Sequence, residues 1–344
     1  MESRRCDLVL LSWNHPEITR PCVESILANT QVPCRLLIVD QASEEETRSY
    51  LRSIRSTGSI EIEILWNSQN VGYSKGMNLG LAKATAPYVC FLNNDILVPP
   101  GWLEELLAIA ESDPSIGSVN PASNTFGIQP TDGSDWTELA ESRAPLRDRW
   151  MEVSYGEGFC LLAKRELLTR LGGFDEKTYG QFYFEDADLG RRIQAMGLKC
   201  VMAEGAYVWH IGGQSASHLP DRLRLFQENE RRFLARWGKG ERVLFAVGDK
   251  TASGITWVGE QARKEANRSG EAWIFTDSHP AAADLPRHLS IRIARLPRWK
   301  IPWAVLWKAL TKKKKLDRIR TDSAWLRRFL KPLRFLHHAE VEPL

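Results

Sequence analysis

The chain has 344 residues, 43% hydrophobic and 26% charged, with a net charge of +3. That length suits two domains with ample apolar material for a core, and it excludes a disordered or fibrous chain. No run approaches the roughly 18 consecutive apolar residues of a membrane-spanning helix, and Met1-Glu2-Ser3-Arg4-Arg5 leads into a short strand-like run without marking export.

Six scattered cysteines without Cys-x-x-Cys spacing point to a reduced cytoplasmic compartment with the thiols packed in the core. The charge is divided along the chain. Residues 1–240 carry 25 Lys+Arg against 32 Asp+Glu, a net of −7, and residues 241–344 carry 21 against 11, a net of +10. Two domains with different roles are expected, 1–240 catalytic and 241–344 a basic C-terminal region.

Asp7 to Ser12 reads as a buried strand, Pro16 to Ala28 as a helix with proline in its first turn, and Arg35 to Val39 as a second strand ending at Asp40. A helix over Glu44 to Ile54, a strand over Ile60 to Leu65, a helix over Gly72 to Ala84 and a strand over Tyr88 to Leu92 continue the alternation. Strand–helix alternation predicts an α/β fold with a mostly parallel central sheet flanked by helices. Ligands of such sheets bind outside the carboxyl ends of the strands, where Asn14, Asp40, Asn70 and Asp95 fall. Any one polar strand end is ordinary loop chemistry; four together favour a shared crevice.

Beyond Asp95, a helix over Leu103 to Glu111 and a strand over Ile116 to Val119 precede residues 121–150, which lack periodicity and read as a long functional loop. Gly156 to Ala163 reads as a strand, Lys164 to Leu171 as a helix, Asp186 to Met196 as a helix, Cys200 to Met202 and Tyr207 to His210 as short strands, and Asp221 to Arg236 as a long helix.

The chemistry concentrates in Leu92-Asn93-Asn94-Asp95 and Phe182-Tyr183-Phe184-Glu185-Asp186-Ala187-Asp188. Group transfer from a phosphate-activated donor needs a neutralised leaving diphosphate and a deprotonated acceptor. Mg²⁺ or Mn²⁺ on Asp95 suits the first need, with His210 as the best second ligand, although a lone histidine more often packs. Asp186, at a helix start among aromatics, suits the second as general base. Capping electrostatics account for one of Glu185, Asp186 and Asp188, and poorly for all three.

With these segments, Leu37-Ile38-Val39-Asp40-Gln41-Ala42-Ser43, Asn70-Val71-Gly72-Tyr73-Ser74-Lys75-Gly76-Met77-Asn78 and Gly172-Gly173-Phe174-Asp175-Glu176 follow in an order that resembles family 2 glycosyltransferases of the GT-A fold. The likeness covers residues 6–235 and is strongest to a rhamnosyltransferase-like branch. It implies an inverting, metal-dependent hexosyl- or deoxyhexosyltransferase taking a nucleotide-diphosphate sugar to a saccharide or lipid-linked saccharide, in bacterial cell-surface polysaccharide synthesis. No covalent enzyme intermediate is implied.

By that resemblance Asp40 contacts the nucleobase with Ser43 nearby, and Asn14, Asn70, Gly72, Asn78, Asn93 and Asn94 shape the nucleotide-sugar site. Asp95 holds the metal, joined by His210; Asp186 is the base; Glu185, Asp188 and Gly158 serve the acceptor. Two positions depart from the pattern: Asn93 replaces the first acid of Asp-x-Asp, and Gln41 replaces the usual Asn.

Past residue 240, Val243 to Val247, Ile255 to Ala266 and Ala272 to Thr276 predict one β–α–β-like unit, too small for an independent nucleotide site. Between Arg287 and Arg334 stand sixteen Lys+Arg and two acids, with Trp299, Trp303, Leu306, Trp307 and Leu310 at helical spacing and Lys300, Lys308 and Lys312 to Lys315 turned elsewhere. Asp322 or Ser323 then caps a helix presenting Trp325, Phe329, Leu330 and Leu333. A peripheral contact with an anionic membrane, at the inner face, is expected, against packing of the tryptophans on the catalytic domain. The competing functions are a catalytically silent glycan-binding or scaffold relative and a nucleic-acid-binding protein acting through the basic tail. Asp95 and Asp186 argue against the first, and the lack of a nucleic-acid module against the second.

Overall fold

The computed structural model describes residues 3–127, 135–180, 182–212, 221–248, 252–277, 280–311 and 315–344. They divide into two compact units, one of residues 1–151 and 155–236, the other of 152–154 and 237–344.

The first unit is built on β1 (Cys6–Ser12), α1 (Pro16–Asn29), β2 (Cys34–Asp40), α2 (Glu45–Ser53), β3 (Ile60–Trp66), α3 (Tyr73–Lys83) and β4 (Tyr88–Leu92). The four strands pair in parallel in the order β3-β2-β1-β4. β2 and β4 are buried along their whole length because helices cover both faces, which is why their sequences are continuous apolar runs rather than alternating ones. Arg35 bridges Asp7 inside the sheet (3.0 Å), and Asp7 also accepts the N–H groups of Thr85 and Ala86, so the buried charge is fully partnered.

After β4 come β5 (Ile96–Leu97), α4 (Trp102–Ser112), β6 (Ile116–Ala122), α5 (Trp136–Ser142), β7 (Trp150–Glu152), β8 (Cys160–Lys164), α6 (Arg165–Leu171), α7 (Glu176–Tyr179), α8 (Glu185–Ala195), β9 (Lys199–Tyr207), β10 (Trp209–His210) and α9 (Arg222–Trp237). The sheet continues β4-β8-β6-β9-β7, with β8 antiparallel to both β4 and β6. Two expectations change here. The stretch 121–150 is not uniformly irregular: it contains the end of β6, the helix α5 and the start of β7, with 128–134 outside the described residues. The predicted strand from Gly156 begins only at Cys160, and 156–159 form a loop. All six cysteines are buried and unbridged, and burial pushes the Cys22 thiol up to about 12, so they serve as apolar filling.

The second unit is larger than the expected β–α–β piece. β11 (Arg242–Val247), α10 (Ala252–Asn267), β12 (Glu271–Thr276), β13 (Ile291–Arg295), α11 (Ile301–Thr311), β14 (Arg318–Thr321), α12 (Ala324–Leu330), α13 (Arg334–His337) and β15 (Glu340–Pro343) build a five-stranded parallel sheet in the order β13-β12-β11-β14-β15. The last three strands are short and interrupted by charged residues, Arg in β13 and β14 and Glu in β15, so no apolar run announces them. Alternate residues of β11 and β12 face opposite layers. Val243, Phe245, Val247, Ala272 and Ile274 pack on α10, and Leu244, Ala246, Trp273 and Phe275 pack on α11 and α12.

Candidate active site

A cavity of about 370 Å³ opens at the carboxyl ends of the first unit's strands, and Asp95 and Asp186 both line it. Asp95 is placed by topology. The residues that follow it form β5, which pairs antiparallel with β10, setting His210 opposite Ile96; the Ile211 N–H then donates to the Asp95 carbonyl (2.9 Å). Nε2 of His210 consequently lies 3.3 Å from Oδ1 of Asp95. That oxygen is buried and accepts no hydrogen bond.

The imidazole is held from the other side. Nδ1 faces Thr125 Oγ1 (3.1 Å), Asn124 exchanges hydrogen bonds with the His210 backbone (both 2.8 Å), and Phe159 stacks on the ring at 5.1 Å. A carboxylate oxygen that accepts no hydrogen bond, beside an imidazole nitrogen fixed by a partner on its second nitrogen, is a donor set that fits a divalent cation completed by phosphate and water oxygens. Among the described residues no group of three or more His, Cys, Asp or Glu side chains could hold a metal, so the two protein ligands would rely on a bound diphosphate.

Asp186 sits in the first turn of α8, entered through Tyr183 and Phe184 in left-handed conformations (φ 74° and 72°). Bulky residues adopt that region only when the surroundings impose it. Here α9 imposes it. The buried Asn229 amide donates to the carbonyls of Tyr179, Phe182 and Tyr183, while Phe184 packs on Phe226 and Phe233. The result aims Glu185 and Asp186 into the cavity at a helix N-terminus, where negative charge is favoured. The Gly158 N–H donates to Asp186 Oδ2 (3.0 Å) and the Ala187 N–H to Oδ1 (2.7 Å). Burial nevertheless raises the Asp186 carboxyl above its ordinary range, and raises Glu185, whose Oε2 has no partner, well above it.

Of the expected residues, Asn70, Gly72, Asn93, Asn94, Asp95, Gly158, Glu185, Asp186 and His210 line the cavity. Asn14, Asp40, Ser43, Asn78 and Asp188 do not, and each has a structural occupation. Asp40 is fully buried and accepts from Arg48 Nε (3.2 Å) and the Ser43 N–H. Ser43 Oγ accepts the Asn14 N–H (2.9 Å), and Asn14 Oδ1 accepts the Glu44 N–H (2.8 Å), so the three brace one another behind the β1 and β2 ends.

Asn78 pins the Gly172–Glu176 turn by accepting the Phe174 N–H and donating to its carbonyl (both 2.9 Å). Gly173 is required there: it has φ 68°, and an added Cβ would collide with Asn78. Asp188 is fully buried between Arg192 (2.7 Å) and Arg236 (3.0 Å), so it ties α8 to α9 and does not face an acceptor. Gly158 acts through its backbone; its carbonyl accepts from Tyr73 Oη (2.9 Å), and an added Cβ would meet that hydroxyl at 2.6 Å.

The sequence reading missed Trp13, Glu157, Phe159 and Arg222, which also line the cavity. The one available signal was an acid between two glycines, Gly156-Glu157-Gly158, in a stretch taken for strand. Burial first, and the Asp186 charge second, push the Glu157 carboxyl up to about 8. The folded chain therefore holds a proton that the unfolded chain releases near 4.5, so this contribution to stability is complete below that pH and is lost as pH rises through about 8. Urea unfolding midpoints are expected to fall over this window. Glu157→Gln, which cannot ionise, should flatten the fall; an unchanged pH profile in the variant would refute the assignment.

Residues 7–172, just under half of the chain, match the family model for Glycosyl transferase family 2. Among curated proteins it is 27% identical over 231 residues to the O-antigen biosynthesis protein RfbC of Myxococcus xanthus, a match covering 61% of this chain and only 17% of that protein. It is 26% identical over 245 residues to N-acetylglucosaminyl-diphospho-decaprenol L-rhamnosyltransferase of Mycobacterium tuberculosis, covering 58% of this chain and 76% of the relative. Among solved structures, GalNAc-T7 with UDP, GalNAc and Mn²⁺ superposes with a TM-score of 0.52 at 17% identity, over 69% of this chain and 48% of that one. The shared fold is that of GT-A glycosyltransferases. Among the described residues no helix is long and apolar enough to cross a membrane.

Proposed function

We propose that the chain is an inverting, metal-dependent glycosyltransferase that moves a hexosyl or deoxyhexosyl group from a nucleotide-diphosphate donor to a saccharide or lipid-linked saccharide, in bacterial cell-surface polysaccharide synthesis. The carrying observation is the shared cavity: Asp95 with His210 on one part of its wall, and the raised carboxyl of Asp186 on another. Mg²⁺ or Mn²⁺ held by Asp95 and His210 would neutralise the departing diphosphate.

The chain's own groups would do the rest. Asp186 takes the proton of the acceptor hydroxyl as its oxygen bonds to the anomeric carbon and the bond to the diphosphate oxygen breaks. A carboxylate lifted by burial suits this task, because its proton affinity lies closer to working pH. Gly158 and Ala187 hold it in place through their N–H groups, and Trp13, Asn70 and Gly72 offer an apolar and polar wall to the nucleotide. Asp40, Ser43 and Asn14 shape that wall from behind. The decaprenol-linked acceptor in the mycobacterial relative's name supports a lipid-linked acceptor here, and we propose that it is met from the cytoplasmic side.

The test is a panel of uridine, thymidine and guanosine diphosphate sugars, assayed by thermal shift and donor hydrolysis with and without Mn²⁺. At least one donor is expected to stabilise the chain and to turn over only when metal is present. If every donor leaves both readouts unchanged, the proposal fails.

A further inference from the structure

The second unit carries a feature the transferase chemistry does not use. α11 buries Ile301, Val305 and Ala309 against the sheet and, two residues out of phase, turns Trp299 before it and Trp303 and Trp307 within it outward, at 66–72% exposure. With Leu310 they line an apolar groove of about 680 Å³. α12 packs on the same face of the sheet through Leu326 and Leu330, and its Trp325 and Phe329, stacked at 5.4 Å, are likewise exposed. Soluble surfaces rarely leave large aromatics grouped in this way without a purpose.

The charges of this layer are one-sided. Lys300, Arg328, Lys331 and Arg334 are exposed on it. The only acids in the sequence from 298 to 337 are Asp317 and Asp322, which accept the backbone N–H groups of Arg242 and Gly248 at the sheet. Lys312 to Lys314 lie outside the described residues.

We infer that this helical layer is a docking surface for an anionic lipid bilayer, with Trp299, Trp303 and Trp307 entering the headgroup region and the cations meeting lipid phosphates. Tryptophan favours that interface, and cations near an anionic surface are drawn to its phosphates. A second copy of the chain is a poor occupant, because it would bring the same positive surface against itself. At eleven residues α11 is also too short to span, so contact is parallel to the surface. The inference rests on the second unit alone and is independent of the transferase reading.

The full chain should be sedimented with vesicles of phosphatidylcholine alone and of phosphatidylcholine with phosphatidylglycerol. Binding is expected to require the anionic lipid, to weaken with added salt, and to shift tryptophan emission to the blue. The triple variant Trp299→Ser, Trp303→Ser, Trp307→Ser keeps the buried face of α11 and should lose about tenfold or more in partitioning. Lys300→Glu with Arg328→Glu and Lys331→Glu should abolish the preference for anionic lipid. Donor hydrolysis should be unchanged in both variants, separating this result from failure of the catalytic assignment. The inference is overturned if the parent ignores anionic vesicles, if the tryptophan variant binds them equally, if the parent prefers duplex DNA to vesicles, or if the face instead mediates a dimer that the tryptophan variant abolishes.

Discussion

Asp186→Asn is expected to leave donor affinity intact and to lower the rate of transfer by about 10²–10⁴, the span that a positioned general base contributes. The amide matches the carboxylate in size and retains one oxygen to accept from Gly158 or Ala187, so the entry into α8 should survive. The loss belongs in kcat with little change in donor KM, because the group acts on the acceptor proton. The pH profile adds a second readout. Burial raises the Asp186 carboxyl, so the acid limb of kcat/KM in the parent should lie above the usual carboxylate range, and it should vanish from the residual activity of the variant. Equal rates in parent and variant would remove Asp186 from the mechanism and with it the inverting scheme proposed above.

Asp95→Ala should act on the donor side instead. A cation stabilising the diphosphate supplies several kcal/mol, and at about 1.4 kcal/mol per tenfold its loss amounts to about 10²-fold or more in metal-dependent donor binding. Titration of a nucleoside diphosphate with and without Mn²⁺ reads this directly: the parent should gain affinity with metal, and the variant should not. Stability should move the opposite way. Asp95 Oδ1 is buried and accepts no hydrogen bond, with only the His210 imidazole 3.3 Å away, so removing the carboxylate costs little, and the metal-free variant is expected to melt no lower than the parent. A variant that still binds donor in a Mn²⁺-dependent manner would place the metal elsewhere. One that unfolds would instead assign Asp95 to the fold.

Much of this site was legible in the primary structure because its residues lie where simple periodicities stop. β1, β2 and β4 are apolar runs with polar residues at or just beyond their ends, and in a parallel sheet such ends gather at the crevice, although Asn14 and Asp40 brace its wall from behind. Asp95 was found for that reason, and Asp186 because three acids cluster beside aromatics at the start of α8. The three strands β13 to β15 were hidden because Arg (β13, β14) or Glu (β15) interrupts segments of only four or five residues, where the pattern is as polar as a loop.

What the sequence by itself determined was thus the chemical inventory: a run of strand ends, a candidate metal carboxylate, a candidate base, and a basic aromatic segment. Tertiary structure alone decided which of these face one another. Antiparallel pairing of two-residue strands brings His210 to Asp95 across more than a hundred residues, and α9 forces Tyr183 and Phe184 into the backbone conformation that aims Asp186. It also withdrew Asp188 and Asn78 from the cavity, since Arg236 and Phe174, which hold them, come from distant segments. Local propensity acts over one turn or strand; the direction in which a side chain points is fixed by whatever packs against it, and those contacts are long-range.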